Sequence, residues 1–174
     1  MNKNKSFKNT CKSKMREYKN HCIWIFGEPK VGKTTTAYNL MQKKLRNYIL
    51  IDGDKFRRSR TPSLDYSRED ILKNNQECLR MVKFLMSEGW NVVVSMITPF
   101  AEMRGLIKKE LGDDCLRVML ICKKEAREKR RNFFDSDIIF ERGECDLLLD
   151  TNILSEEAVR DNILKIMQER DFIQ

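Results

Sequence analysis

Residues 27–34 read Gly27-Glu28-Pro29-Lys30-Val31-Gly32-Lys33-Thr34 and match G-x-x-x-x-G-K-[ST] at every position. The five residues before them, Cys22-Ile23-Trp24-Ile25-Phe26, have the make-up of a strand buried on both faces. The residues after them, from Lys33 to about Arg46, carry a helical pattern. Strand, loop and helix in that order are the context this motif requires. Its glycines let the backbone curl round phosphate oxygens where a Cβ would clash, and successive N–H groups at the helix start then face the anion. The pattern predicts an ATP phosphate cradle over Gly27–Thr34 with Thr35 beside it. Lys33 is placed to reach the β- and γ-phosphates, and the Thr34 hydroxyl to ligate magnesium.

Short apolar runs alternate with longer amphipathic ones along the rest of the chain. Strands are predicted at Tyr48–Ile51, Val92–Val94, Val118–Ile121 and Leu147–Leu149, in addition to Cys22–Phe26. Helices are predicted at Ser67–Glu88, Ala101–Leu111, Lys124 to about Phe134, and Ser155–Arg170. Ser67 and Ser155 are candidate N-caps, each followed by acids in the first turn, and Gly89 closes the longest helix. Strands apolar on both faces and alternating with helices imply a parallel sheet covered by helices. The expected fold is therefore α/β, a P-loop NTPase-type three-layer arrangement with a five-stranded parallel sheet.

In such a sheet, ligands bind outside the carboxyl ends of the strands. The second predicted strand runs out into Asp52-Gly53-Asp54. Two acids there can hold a magnesium-bound water or take a proton from an attacking hydroxyl; as a plain turn they would simply be solvated. The third runs out into Ser95-Met96-Ile97-Thr98-Pro99-Phe100, with Arg104 following. This brings a hydroxyl, a rigid turn and a guanidinium to the same rim, unless Thr98 serves only to cap the next helix.

The chain has 174 residues, of which 41% are hydrophobic, enough for one domain with its own core. Its net charge of +8 is unevenly spread: residues 1–20 carry +6 and the rest +2. The expectation is a disordered basic tail over 1–20 and one kinase-like domain over 21–174. A nucleic-acid role would have to rest on the tail, and deleting it would separate that role from turnover. There is no run of about 18 apolar residues and no apolar segment at the N-terminus, so neither a membrane span nor a secretory signal is expected. The six cysteines include no C-x-x-C pair, and His21 is the only histidine. Reduced thiols and a cytoplasmic location are expected rather than a zinc site.

Several segments in order resemble the adenylylsulfate kinase family, whose members phosphorylate the 3′-hydroxyl of adenosine 5′-phosphosulfate. Ile51-Asp52-Gly53-Asp54-Lys55-Phe56-Arg57 is similar to its L-D-G-D-N-x-R, and Tyr66-Ser67-Arg68-Glu69-Asp70 to its F-S-x-E-D, with Asn74 matching the asparagine that follows. Ile97-Thr98-Pro99-Phe100 with Arg104 resembles I-S-P-Y and its arginine. Phe140-Glu141-Arg142 and Leu147-Leu148-Leu149-Asp150-Thr151 resemble Y-E-x-P and L-x-L-x-T. The resemblance runs from about His21 to the last helix. It implies ATP and Mg2+, with Asp54 orienting or deprotonating the acceptor hydroxyl and Asp52 in the magnesium shell. Arg57, Asn74, Ile97, Thr98 and Arg104 fall on the acceptor side, Thr98 in the place of a family serine. Arg130 and Thr151 flank the ATP adenine. It also implies a nucleotide acceptor and a possible homodimer.

The departures lie on the acceptor side. Ile71 and Gln76 stand where the family has arginines, and the lid motif R-D-x-K-x-x-Y is absent, with Arg130-Arg131-Asn132-Phe133-Phe134 at its start. Arg58, Arg60 or Arg68 could cover for the missing arginines, or the acceptor could differ. A cytidine nucleotide bearing a phosphoramidate, used in capsule-sugar modification, is one example. A non-catalytic nucleotide-binding module is the competing class. A GTPase lacks support, because no N/T-K-x-D motif is present.

Overall fold

Apolar at every position, β1 (Cys22–Phe26) takes the centre of the sheet and is buried along its whole length. Alternate side chains of a strand point to opposite faces, and β1 divides accordingly. Cys22, Trp24 and Phe26 join one core cluster, Ile23 and Ile25 the other. The computed structural model describes residues 20–43, 45, 47–59, 64–129, 138–141 and 143–173. Within them β2 (Tyr48–Asp52), β3 (Asn91–Ser95), β4 (Cys115–Ile121) and β5 (Leu147–Asp150) complete a parallel sheet in the order β2-β3-β1-β4-β5.

Helices cover both faces. On one side α1 (Lys33–Lys43) and α6 (Glu156–Glu169) pack Ala37, Leu40, Val159 and Ile163 against Ile23, Ile25 and Val118. On the other, α3 (Arg68–Ser87) and α4 (Ala101–Leu111) pack Cys78, Val82, Met103 and Ile107 against Trp24, Phe26 and Val94. The expected three-layer fold with a five-stranded parallel sheet is the one found. Ser67 caps α3 by accepting from the Asp70 amide at 3.3 Å, and Ser155 caps α6 from the Ala158 amide at 3.2 Å.

Some boundaries differ from those read in the sequence. A short helix, α2 (Gly53–Arg58), follows β2 directly. Asp52 caps it, its Oδ1 accepting from the Lys55 amide at 3.0 Å. One and a half turns are too few to show a helical period. β4 starts at Cys115 rather than Val118, because Cys115 pairs with Cys22 in register. α1 ends at Lys43, and α5 is described over Lys124–Glu128. Residues 130–137, with Arg130, lie outside the described residues, as do Arg60, Arg142 and the tail up to residue 19. Among the described residues no helix is long and apolar enough to cross a membrane. Cys22, Cys78, Cys115, Cys122 and Cys145 are free thiols, all but Cys145 buried. Burial, then the hydrogen bond with Cys115, pushes the Cys22 thiol far up and leaves it inert.

Thr98 corrects an expectation. It is fully buried, 0% exposed, and does not cap the next helix. Its hydroxyl accepts from Trp24 Nε1 at 3.0 Å and donates to Asn75 Oδ1 at 2.9 Å, tying β1 to α3. The N-cap position of α4 is Phe100, which makes no side-chain cap; Glu141 Oε2 instead accepts from the Ala101 amide at 2.7 Å. Thr98→Val would leave two buried polar groups without their partner. It should lower the unfolding free energy by about 1–3 kcal/mol, read from the urea midpoint, while Thr98→Ser should recover most of the loss. An unchanged midpoint would show that this hydroxyl does not bridge the layers.

Candidate active site

The loop between β1 and α1 is shaped by residues in the left-handed region. Gly27 has φ 149°, Lys30 φ 64° and Gly32 φ 98°. A Cβ on Gly27 would overlap the carbonyl oxygen of Leu120 on β4, so the loop leaves the sheet pressed against its neighbour's backbone. Two side chains hold it from outside. Arg127 donates from Nη2 to Glu28 Oε1 at 3.1 Å and from Nη1 to the Pro29 carbonyl at 3.4 Å. The Thr151 hydroxyl donates to the Val31 carbonyl at 2.9 Å. Lys33 folds back, its Nζ donating to the carbonyls of Glu28 at 2.7 Å and Gly27 at 3.0 Å. Withdrawal from water lowers the pKa of Lys33 to about 8, against the opposing pull of Asp54, Asp52 and Glu28.

A cavity of about 400 Å³ opens in front of this loop. Its floor gathers three oxygens from three elements. Thr34 at the start of α1 lies 3.0 Å from Asp52 Oδ2 at the end of β2 and 3.2 Å from Ser95 Oγ at the end of β3. Asp52 and Ser95 are register partners on adjacent parallel strands, which fixes both at one height. Capping α2 with Oδ1 turns Oδ2 of Asp52 toward Thr34. Hydroxyl and carboxylate oxygens of this kind suit magnesium, which keeps waters and phosphate oxygens as its remaining ligands. Among the described residues there is no group of three or more His, Cys, Asp or Glu that could cage a metal by itself.

Across the cavity stand Asp54, Arg57, Tyr66, Asn74 and Ile97. Arg57 donates to Asp54 Oδ1 at 2.9 Å, lies 3.7 Å over the Tyr66 ring and also contacts the Tyr66 hydroxyl. That hydroxyl is 3.4 Å from Asp54 Oδ1. Asn74 is 6% exposed, and its Oδ1 meets no hydrogen-bond partner among the described residues, although the residue lines the cavity. Ile97 is held by its carbonyl, which accepts from Asn75 Nδ2 at 3.0 Å.

The sequence-predicted residues therefore divide. Pro29, Lys30, Gly32, Lys33, Thr34, Thr35, Asp52, Asp54, Arg57, Asn74 and Ile97 share one cavity. Thr151 lines a second cavity of about 240 Å³ with Leu154 and Glu156, which shares Gly32 and Thr35 with the first. Thr98 and Arg104 line neither. Arg104 is 2% exposed, and its guanidinium donates to the carbonyls of Thr98, Pro99 and Glu141 at 2.7–2.9 Å. Two of those carbonyls, of Thr98 and Pro99, belong to the segment 97–100, which is in no helix or strand. Sequence reasoning missed Ser95, Tyr66 and Arg127 as site residues. Ser95 could have been found as the first polar residue after Val94 at a strand's carboxyl end.

A parallel sheet with this motif at the carboxyl end of its central strand defines a P-loop kinase fold. The APS kinase of Mycobacterium tuberculosis, solved with AMPPNP and APS, superposes with a TM-score of 0.75 at 22% identity, over 86% of this chain and 98% of that one. A gluconokinase from Sinorhizobium meliloti gives 0.66 at 15% identity, over 88% and 95%. Likeness at those identities shows the fold. The family described as adenylylsulphate kinase matches residues 19–136, and the chain belongs to that family. An adenylyl-sulfate kinase of Clostridium acetobutylicum is 28% identical over 181 residues, 93% of this chain and 90% of its own length. A probable adenylyl-sulfate kinase of Pyrococcus abyssi is 35% identical over 112 residues, 62% of this chain and 63% of its own. The chain is an ATP-dependent phosphotransferase with a hydroxyl acceptor.

The Lys33 amine is charged at neutral pH and loses its charge as pH rises through about 8. A bound polyphosphate favours the protonated amine. ATP affinity should therefore fall as pH rises through that value, and binding near it should take up a proton. Titration calorimetry in two buffers of different ionisation enthalpy reads the uptake, and Lys33→Ala should abolish it.

Proposed function

We propose that this protein transfers the γ-phosphoryl group of ATP, with Mg2+, to a hydroxyl of a nucleotide-like acceptor, the ribose 3′-hydroxyl by family analogy. The observation that carries the reading is that Asp54 and the phosphate loop line the same cavity, with Arg57, Tyr66 and Asn74 around the carboxylate. A donor phosphate in the loop and an acceptor beside Asp54 would face each other without the chain rearranging its core.

In this reading Lys33 leaves the carbonyls of Gly27 and Glu28 for the phosphate oxygens, and the loop amides bind the rest of the polyphosphate. Thr34 and Asp52 would hold the magnesium, which would neutralise charge on the transferring phosphoryl. Asp54 orients the acceptor hydroxyl and takes its proton. Arg57 is the acceptor-side cation, and an anionic group on the acceptor would compete with Asp54 for it. The unpartnered Oδ1 of Asn74 accepts from an acceptor N–H or O–H. The cavity beside Thr151 suits the ATP base, on the loop side away from Asp54.

A second reading, with a changed acceptor, is favoured by Ile71 and Gln76. Ile71 is 3% exposed and packed into the protein, so it offers no cation where the resemblance leads one to expect a guanidinium. Arg68, one candidate substitute, is engaged by Glu102 at 2.8 Å and Glu141 at 3.1 Å and lies over the Phe100 ring. A cytidine nucleotide phosphoramidate stands among the alternatives on this reading.

ADP release with ATP and magnesium, measured with adenosine 5′-phosphosulfate and then with a panel of nucleotides, decides between the two. Turnover with adenosine 5′-phosphosulfate supports the first reading, and turnover with another nucleotide alone supports the second. With whichever acceptor works, Lys33→Ala should lower kcat by about 10²–10³-fold. Asp54→Asn should lower it by about 10²–10⁴-fold with little change in ATP affinity. Wild-type turnover in Asp54→Asn would remove Asp54 from the acceptor site.

A further inference from the structure

Ser95 is 3% exposed, yet it lines the cavity at the level of the phosphate loop. β3 is the strand hydrogen-bonded to β1, and Ser95 is paired with Ile25, two residues before the loop begins. In P-loop NTPases magnesium is held by the loop hydroxyl together with a strand-end carboxylate. In this chain the carboxylate, Asp52, stands one strand further from β1, and the strand next to the loop ends in a serine.

The hydrogen bonds fix the direction of the hydroxyl protons. Thr34 has one proton, and the Asp52 carboxylate can only accept, so Thr34 donates to Asp52 Oδ2 at 3.0 Å. The 3.2 Å contact between Ser95 and Thr34 is then a donation by Ser95. The lone pairs of Ser95 Oγ are left with no donor among the described residues, in a buried position facing the cavity. A buried oxygen with unspent acceptor capacity costs stability unless something supplies a positive charge or a proton.

We infer that Ser95 is the third protein oxygen of the magnesium–nucleotide site, holding the ion or one of its waters beside Thr34 and Asp52. This rests on the reading of Thr34 and Asp52 as the magnesium residues. Ser95 contributes an oxygen without a charge, so the three side chains together bring a single negative charge to the ion. The site then depends on nucleotide phosphates to fill it, and the metal enters as the metal–nucleotide complex.

The test needs no acceptor. ADP affinity is measured by titration calorimetry with excess magnesium and with EDTA, for wild type, Ser95→Ala, Ser95→Cys and Thr34→Ala. In Ser95→Ala the gain in affinity that magnesium confers should shrink by about tenfold or more, while the affinity in EDTA stays at the wild-type value. Ser95→Cys, close in size but a soft ligand that suits magnesium poorly, should lose the gain as well. If Thr34→Ala loses the gain while both Ser95 variants keep it, the assignment of Ser95 is overturned and the magnesium site stands. If Thr34→Ala also keeps it, the reading of the magnesium site falls with it. An equal loss with and without magnesium in Ser95→Ala would make the serine a structural group and overturn the inference.

Discussion

Parallel pairing of β1 with β3 on one side and β4 on the other brings the carboxyl ends of the strands to one rim. Every chemically active group in the described structure depends on that alignment. The phosphate loop leaves β1, Asp52 ends β2 and Ser95 ends β3, and their register partners set them at a common height. The loop can hug the sheet only because Gly27 has no side chain to meet the Leu120 carbonyl on β4. The core that enforces the alignment is divided between two helical layers by the alternation of β1. Trp24 and Phe26 bury one layer and Ile23 and Ile25 the other.

Polar groups near the rim fall into two kinds, told apart by what they already hold. Thr98, Asn75 and Arg104 are buried and committed to partners in the scaffold. They shape the turn that carries Ile97 and support the wall of the cavity from behind. Asn74, one residue from Asn75 on α3, lines the cavity, and its carbonyl oxygen has no hydrogen-bond partner among the described residues. Lys33 makes its hydrogen bonds to loop carbonyls, weak competitors for an ammonium beside a polyphosphate. Pre-organisation of this site comes from the committed groups, and its chemistry from those with capacity left.

The two ends of the cavity differ in how completely they are built. At the loop, Glu28, Val31 and Thr34 are each held by a group from another element: Arg127, Thr151 and Asp52. At the end proposed for the acceptor, the cation Arg57 is paired with Asp54 within one helix, and the Tyr66 ring lies against its guanidinium. An ion pair three residues apart and partly exposed is worth little in itself, so an acceptor can rearrange it at small cost. This asymmetry parallels the sequence, in which the phosphate loop is complete while Ile71 and Gln76 depart from the family pattern.

The sequence by itself determined the phosphate loop, the order of the strands and the longer helices, and the family. These are local or serial properties: a glycine pattern, an apolar run, a capping serine, a succession of short segments. It also marked Asp52 and Asp54 as rim acids, since a strand's last residues are known once the strand is. What it could not determine was which of two similar side chains is spent. Thr98 and Ser95 are both hydroxyl residues only three positions apart, and only the packing of Trp24 and Asn75 around the first commits it to the core. Arg57 and Arg104 likewise look alike in sequence, but burial on α4 commits Arg104 to backbone carbonyls, whereas Arg57 lines the cavity. α2 was hidden because its cap, Asp52, reads equally well as the end of a strand. Tertiary structure decided these points because hydrogen-bonding capacity is allotted between residues distant in the chain, 74 positions apart for Trp24 and Thr98.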